Sequence, residues 1–168
     1  MNLEERVAAL QKQVEELQSR EAIRHIVGQY ARCIDEDRVE ELKDLFTEDA
    51  TLQNLPWNDR PVQGWPTILK AFRNYRRTFD HPRRYIANEQ IQVHGDTASA
   101  TSYWSVTQAY RGQSWYGSGT YEWGFRQDKG QWKISRFIIK IEIMTTLDKG
   151  WGAKEGPLTP LPRPDAPR

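Results

Sequence analysis

The chain has a single cysteine, Cys33, so it can form no internal disulfide. It has no apolar run approaching the length a bilayer demands and opens on no signal peptide, so the reducing cytoplasm is the expected compartment. Charge of one sign is also missing: 24 Lys and Arg stand against 23 Asp and Glu. That near balance removes the general electrostatic case for nucleic acid or a membrane surface as partner. Arg73, Arg76, Arg77, Arg83 and Arg84 do crowd one short region, but without basic residues in excess elsewhere they read as a solvated helix end. His25, His81 and His94 have no ligand spacing with one another or with Cys33, so no metal site is visible. The "GSG" at residues 117–119 falls within a strand pair rather than ahead of a helix, which excludes a phosphate loop, and no nucleophilic triad is legible. Any chemistry is therefore expected to be proton transfer without a cofactor.

What the chain has in quantity is aromatic: seven Trp, seven Tyr and five Phe. Something large and flat is packed, either core or ligand. The length, 168 residues, predicts one domain with a substantial core. Leu3, Val7, Leu10, Val14 and Leu17 alternate at spacings of four and three, a heptad seam on an extended amphipathic helix over residues 1–20 that is expected to pack on the domain or on a partner subunit. The same helix continues with Ile23, Ile26, Val27, Tyr30 and Ile34 on one side. A second helix is predicted at Arg38–Phe46 and a third at about Trp65–Phe79, where Pro66 sits in the first turn at no cost.

The short runs "ATLQNLPW" and "RPVQG" read as strands beside the third helix. "RYIANEQIQVHG", "TASATSYWSVTQAYR", "SWYGSGTYEWGFRQ" and "QWKISRFIIKIEIMTTL" are long, β-branched and aromatic, and joined by tight turns, which predicts an antiparallel meander. The fold class is α+β, helices covering one face of a curved sheet in a single domain over residues 1–151. Residues 152–168 hold five of the nine prolines and read as a tail without a core, disordered or laid across a neighbouring subunit.

The corner "HIVGQYARCIDEDRVEELKDLF" carries the first candidate site residues. Asp37 and Glu40 have the spacing of a capping box, which leaves Asp35 surplus to the turn. Tyr30 lies in the middle of the apolar stripe.

Taken with "SREAIRHIVGQYARCIDEDRVEELKDLFTEDA", the "GW" before a helix, "RYIAN" opening a strand and "GQWKI" opening the last strand, the chain over roughly residues 3–147 resembles the SnoaL-like branch of the nuclear transport factor 2 (NTF2-like) superfamily. The resemblance implies a cone, a strongly curved antiparallel sheet wrapped by three N-terminal helices around an apolar pocket. Members include scytalone dehydratases, hexachlorocyclohexane dehydrochlorinases and polyketide cyclases. The local match is best to bile acid 7α-dehydratases, which have a similar "LEERV" seam and a similar Tyr and Asp five residues apart. It implies Tyr30 as a pocket tyrosine and Asp35 as the partner of a catalytic histidine. Arg84 stands where that histidine would be, Asn88 at the accompanying asparagine, and Lys140 at a pocket arginine.

A guanidinium stays protonated and cannot shuttle a proton as imidazole does. Arg84 facing inward would pair with Asp35 or stabilise an oxyanion that develops on a substrate, which leaves Asp35 or Tyr30 to move the proton. His81 is a stand-in at the rim. Asn54, Trp57, Asn88, Tyr103, Trp104, Trp123 and Lys140 are the candidate substrate-binding residues, with Tyr121 a further aromatic that could line the pocket. Bland readings stand beside these: Asp35 as a second polar residue at a corner, Tyr30 as core, Arg84 solvated beside Arg83, Lys140 as a surface pair with Glu142, and the aromatics as filling.

Two functions follow. One is a cofactor-independent lyase or isomerase, dehydratase-like, acting on a cyclic or aromatic apolar small molecule, with release of formaldehyde from a diaryl compound as a variant. The other is a non-catalytic binding or assembly module that kept the cone and lost the histidine. A homo-oligomer is expected, trimer before dimer, because related dehydratases form trimers through the outer face of their sheets.

Overall fold

The computed structural model describes residues 2–152, 154 and 156–160; the rest of the expected tail lies outside the described residues. Helix α1 (Leu3–Asp35) opens with a capping box, in which the Asn2 side chain accepts from the Glu5 amide and the Glu5 carboxylate accepts from the Asn2 amide. The heptad residues are exposed along its first half, from 45% at Val7 to 75% at Leu3. Packing begins where Arg20 donates to the Ile91 carbonyl at 2.8 Å, and from there Ile23, Ile26, Val27, Tyr30, Cys33 and Ile34 are buried.

The corner differs from the sequence expectation. The second helix is a six-residue 3-10 turn, Val39–Asp44, with no side-chain cap, and Phe46 already belongs to the sheet. The Leu45 carbonyl accepts from the Ile134 amide at 2.8 Å, which draws the chain into the sheet at the point where the expected helix would continue. Asp37 sits at φ +59° and caps nothing; its carboxylate pairs with Arg76 at 3.2 Å, and Glu40 pairs with Arg73 at 2.8 Å. Both carboxylates tie the corner to helix α2 (Trp65–Thr78), and that, not solvation alone, is where much of the arginine cluster goes.

The sheet holds β1 (Phe46–Leu55), β2 (Val62–Gln63), β3 (Asp80–His94), β4 (Thr97–Tyr110), β5 (Gln113–Asp128) and β6 (Gln131–Thr146), in the order β2-β1-β6-β5-β4-β3. The last four strands form the expected meander. The sheet is not wholly antiparallel, however, because β1 runs parallel to β6, reaching it from the helical corner rather than through a hairpin. Bulges at Ala87/Gln90 on β3, and on β6 opposite Ser118/Gly119 and Gly124/Phe125 of β5, bend β3 and β6 and curl the sheet into a cone. Helices α1 and α2, with the 3-10 turn in the place of the second expected helix, cover its concave face. Among the described residues no helix is long and apolar enough to cross a membrane.

Part of the tail is docked. Beyond the end of β1, the Met144 amide donates to the Pro157 carbonyl at 2.8 Å, the Thr159 amide donates to the Met144 carbonyl, and Leu158 forms a parallel bridge to Met144. Residues 157–159 thus cover the edge of β6 that β1 leaves unpaired.

Candidate functional site

Inside the cone lies a cavity of about 90 Å³. Its walls are mainly apolar: Ile34 from α1, Leu52 from β1, Phe72 from α2, Trp104 and Val106 from β4, and Ile139, Ile141 and Met144 from β6. Period-two alternation on β4 turns residues 104, 106 and 108 the same way, and helical spacing stacks Phe72 and Tyr75 on one face of α2.

One chain of polar groups crosses this apolar space. Arg84 donates to Asp35 twice, from its backbone amide to Oδ2 at 2.8 Å and from Nη1 to Oδ1 at 3.2 Å. Its Nη2 donates to the Tyr75 hydroxyl at 2.9 Å, which in turn donates to Gln108 Oε1. The Gln108 amide nitrogen reaches Met144 Sδ at 3.7 Å. The Arg84 and Asp35 side chains are 5% and 8% exposed, so this is a buried ion pair, and the guanidinium also lies over the Tyr75 and Tyr30 rings at 5.2 and 5.8 Å. Tyr30 packs edge-on against Phe137, Trp123 and Tyr121.

Burial alone would lower the affinity of Arg84 for its proton, but Tyr75, Tyr121, Tyr30 and Asp35 together hold it above its ordinary value, so it is a permanent cation. Burial pushes all three phenols up, Tyr121 to about 12, against the opposing pull of Arg84. Burial likewise leaves the Asp35 carboxyl raised, although Arg84 and its amide pull it back. At neutral pH the cavity wall therefore presents a permanent cation, paired on its far side with Asp35 and flanked by neutral phenols, an arrangement suited to binding an oxygen that gains negative charge and to supplying a proton.

The structure gathers Tyr30, Arg84, Asn54, Trp57, Trp104 and Tyr121 around the cavity. Asp35 stands behind Arg84, does not line the cavity, and has both oxygens engaged. Four candidates are elsewhere. Asn88 is exposed at φ +58°, because the Ala87/Gln90 bulge inserts a residue and breaks the alternation that would keep it on the Arg84 face. Tyr103 is 61% exposed on the outer face of β4. Trp123 is core, stacked on Phe137 at 3.9 Å with its Nε1 donating to Ser102. Lys140 points outward and pairs with Glu122 on β5, not with Glu142. His81 is exposed and is not part of the cavity wall. Sequence reasoning misses Tyr75 and Gln108 as site residues. The available signals are the place of Tyr75 on the inward stripe of its helix and Gln108 as the one polar residue in the series Trp104, Val106, Gln108.

Among the described residues no group of three or more His, Cys, Asp or Glu is placed to hold a metal ion.

Several solved structures share this architecture. A protein provisionally assigned as a scytalone dehydratase from Novosphingobium aromaticivorans superposes with a TM-score of 0.70 at 22% identity, over 77% of this chain and 88% of that one. The hexachlorocyclohexane dehydrochlorinase LinA-type3 from Novosphingobium barchaimii gives 0.73 at 18% identity, over 80% of this chain and 94% of that one. A Mycobacterium tuberculosis protein of unknown function gives 0.69 at 21% identity, over 80% of this chain and 77% of that one. At these identities the likeness is one of fold. The family model described as SnoaL-like domain matches residues 15–138, most of the chain, and so the chain belongs to the SnoaL-like family.

Proposed function

We propose that the protein is a cofactor-independent lyase or isomerase that acts on a cyclic or aromatic small molecule inside the cone. The observation that carries this reading is Arg84: a buried cation on the wall of an apolar cavity, whose Nε has no partner in the protein. An unsatisfied charged donor in such a place is costly unless a ligand uses it. In this reading Arg84 holds the negative charge that develops on a substrate oxygen, and Tyr121 or Tyr30 gives its proton to the departing group and, as the phenolate so formed, takes the proton that the substrate loses. Asp35, with both oxygens on Arg84, is a positioning residue rather than the base. The family fold is shared with a dehydrochlorinase, which is consistent with elimination chemistry on this scaffold.

Incubating the protein with a panel of hydroxylated cyclic and aromatic compounds, with no cofactor added, tests the reading by mass spectrometry. Loss of water, formaldehyde or another small group is expected, with kcat reduced about 10²–10³-fold in Arg84→Met, the size of effect seen when an oxyanion donor is removed. No conversion of any compound, or an unimpaired Arg84→Met, would refute it. One observation favours a binding module instead: no histidine lines the cavity among the described residues.

We further infer a homo-oligomer, trimer before dimer. The exposed seam of Leu3, Val7, Leu10, Val14 and Leu17, and the exposed Tyr85 and Tyr103 on the outer face of β3 and β4, are apolar surfaces that a second copy would cover. Sedimentation at micromolar concentration checks this. A single species near 19.7 kDa refutes it, and removing residues 1–17 should weaken assembly more than it alters the cavity.

A further inference from the structure

The cavity holds a second polar atom without a partner. Asn54 Oδ1 is buried and unbonded, as is Arg84 Nε, and both residues line the same space. Tyr75, Gln108 and Trp104 on the same wall are engaged within the protein: the Tyr75 hydroxyl accepts from Arg84 and donates to Gln108, Gln108 reaches Met144, and the Trp104 indole donates to the Lys140 carbonyl. Asn54 lies on β1 and Arg84 on β3, with β6, β5 and β4 between them in the sheet. Only the curl of the sheet brings them to one cavity, so they approach it from different walls with apolar side chains between.

One orphan is a charged donor and the other an acceptor. A hydrocarbon or a polyhalogenated ring would bury both unsatisfied, at a cost of the order of a lost hydrogen bond each. We propose that the ligand is a hydroxylated ring compound with two separated oxygens, an acceptor oxygen (carbonyl, enolate or phenolate) at Arg84 and a hydroxyl that donates to Asn54. A hydroxyaryl ketone is the simplest member of the class. The apolar walls and the small volume hold the ring itself. This assignment rests on the reading of the cavity as the substrate site, but it concerns binding and needs no turnover.

Calorimetric titration of the full chain with four probes of one ring tests it: 4-hydroxyacetophenone, acetophenone, 4-ethylphenol and 4-ethyltoluene. The first is expected to bind at least about tenfold more tightly than acetophenone, which lacks the donor, and than 4-ethylphenol, which lacks the carbonyl, since each leaves one buried group unpaired. 4-Ethyltoluene should bind weakest. In Asn54→Leu the preference over acetophenone should vanish while the preference over 4-ethylphenol persists. Equal affinities, no binding of 4-hydroxyacetophenone at millimolar concentration, or a preference over acetophenone that survives in Asn54→Leu would overturn the assignment. The ranking in the unmodified protein decides the matter even if the variant does not fold. Selective binding without conversion of any compound would defeat the lyase reading alone; conversion of a halocarbon without this selectivity would defeat the two-oxygen ligand alone.

Discussion

Replacing Arg84 with methionine should destabilise the protein by about 3–5 kcal/mol, because it strands a buried carboxylate. Asp35 is 8% exposed on its side chain and takes both of its charge-assisted contacts from Arg84. The backbone amide of residue 84 would remain to donate to Oδ2, but the guanidinium would be gone. Burial already pushes the Asp35 carboxyl up, and Arg84 is the chief influence pulling it down, so the variant raises it further. A carboxyl whose folded value lies above its unfolded one contributes its stability at low pH and loses it as pH rises through the folded value. The deficit of Arg84→Met should therefore deepen from acid toward neutral pH. Asp35→Asn in the same chain keeps an acceptor for the amide and removes the stranded charge, so the double variant should be more stable than Arg84→Met alone. Urea unfolding of the four proteins, with unchanged m-values, gives the coupling directly. Additive losses would show that the pair is not a unit.

The second large effect is expected at Gly119. An added Cβ there would stand 2.0 Å from the Lys140 carbonyl oxygen, 3.0 Å from its carbon and 3.1 Å from the Glu142 amide nitrogen. All three are backbone atoms of β6, so no side-chain rotation can relieve the clash. Gly119→Ala must push β5 and β6 apart at a point where the Trp104 indole donates to the same Lys140 carbonyl and where Ile139 and Ile141 form cavity wall. Overpacking of this kind costs about 1–3 kcal/mol or more, and for a chain of this size a fall in Tm of roughly 5–10 °C is expected. Gly112→Ala is the control, since its Cβ meets nothing within 4 Å and only its φ of +78° is strained. A Gly119→Ala protein that melts within a degree or two of the parent would contradict the close approach.

Several features are legible along the chain because their causes are local. The stripe Ile23, Ile26, Val27, Tyr30 and Ile34 is helical spacing, and all five are buried. Pro66 after Gly64 marks the start of α2 within a residue, and the four long strands announce themselves by composition and by the turns between them. Arg84 is legible too, since Ile86 two residues on points its side of the strand inward. The same alternation misplaces Asn88, because a bulge is made by pairing with β4 and not by β3 itself.

From residue order alone come the fold class, the meander and the candidate core, and from the family resemblance the anomaly of an arginine where a histidine is expected. Only the tertiary structure decided what that arginine does. Asp35 and Arg84 lie 49 positions apart, and Tyr75 and Gln108 lie 33 apart, separations that no helix or strand repeats. Their adjacency exists because α1 brings Asp35, and α2 brings Tyr75, onto the curled sheet. The parallel pairing of β1 with β6 and the ties from Asp37 and Glu40 to α2 are of the same kind. Hydrophobic periodicity is set by neighbours within a few residues and can be counted. Convergence of polar groups on one cavity depends on register, bulges and curvature, which are settled by contacts between distant segments.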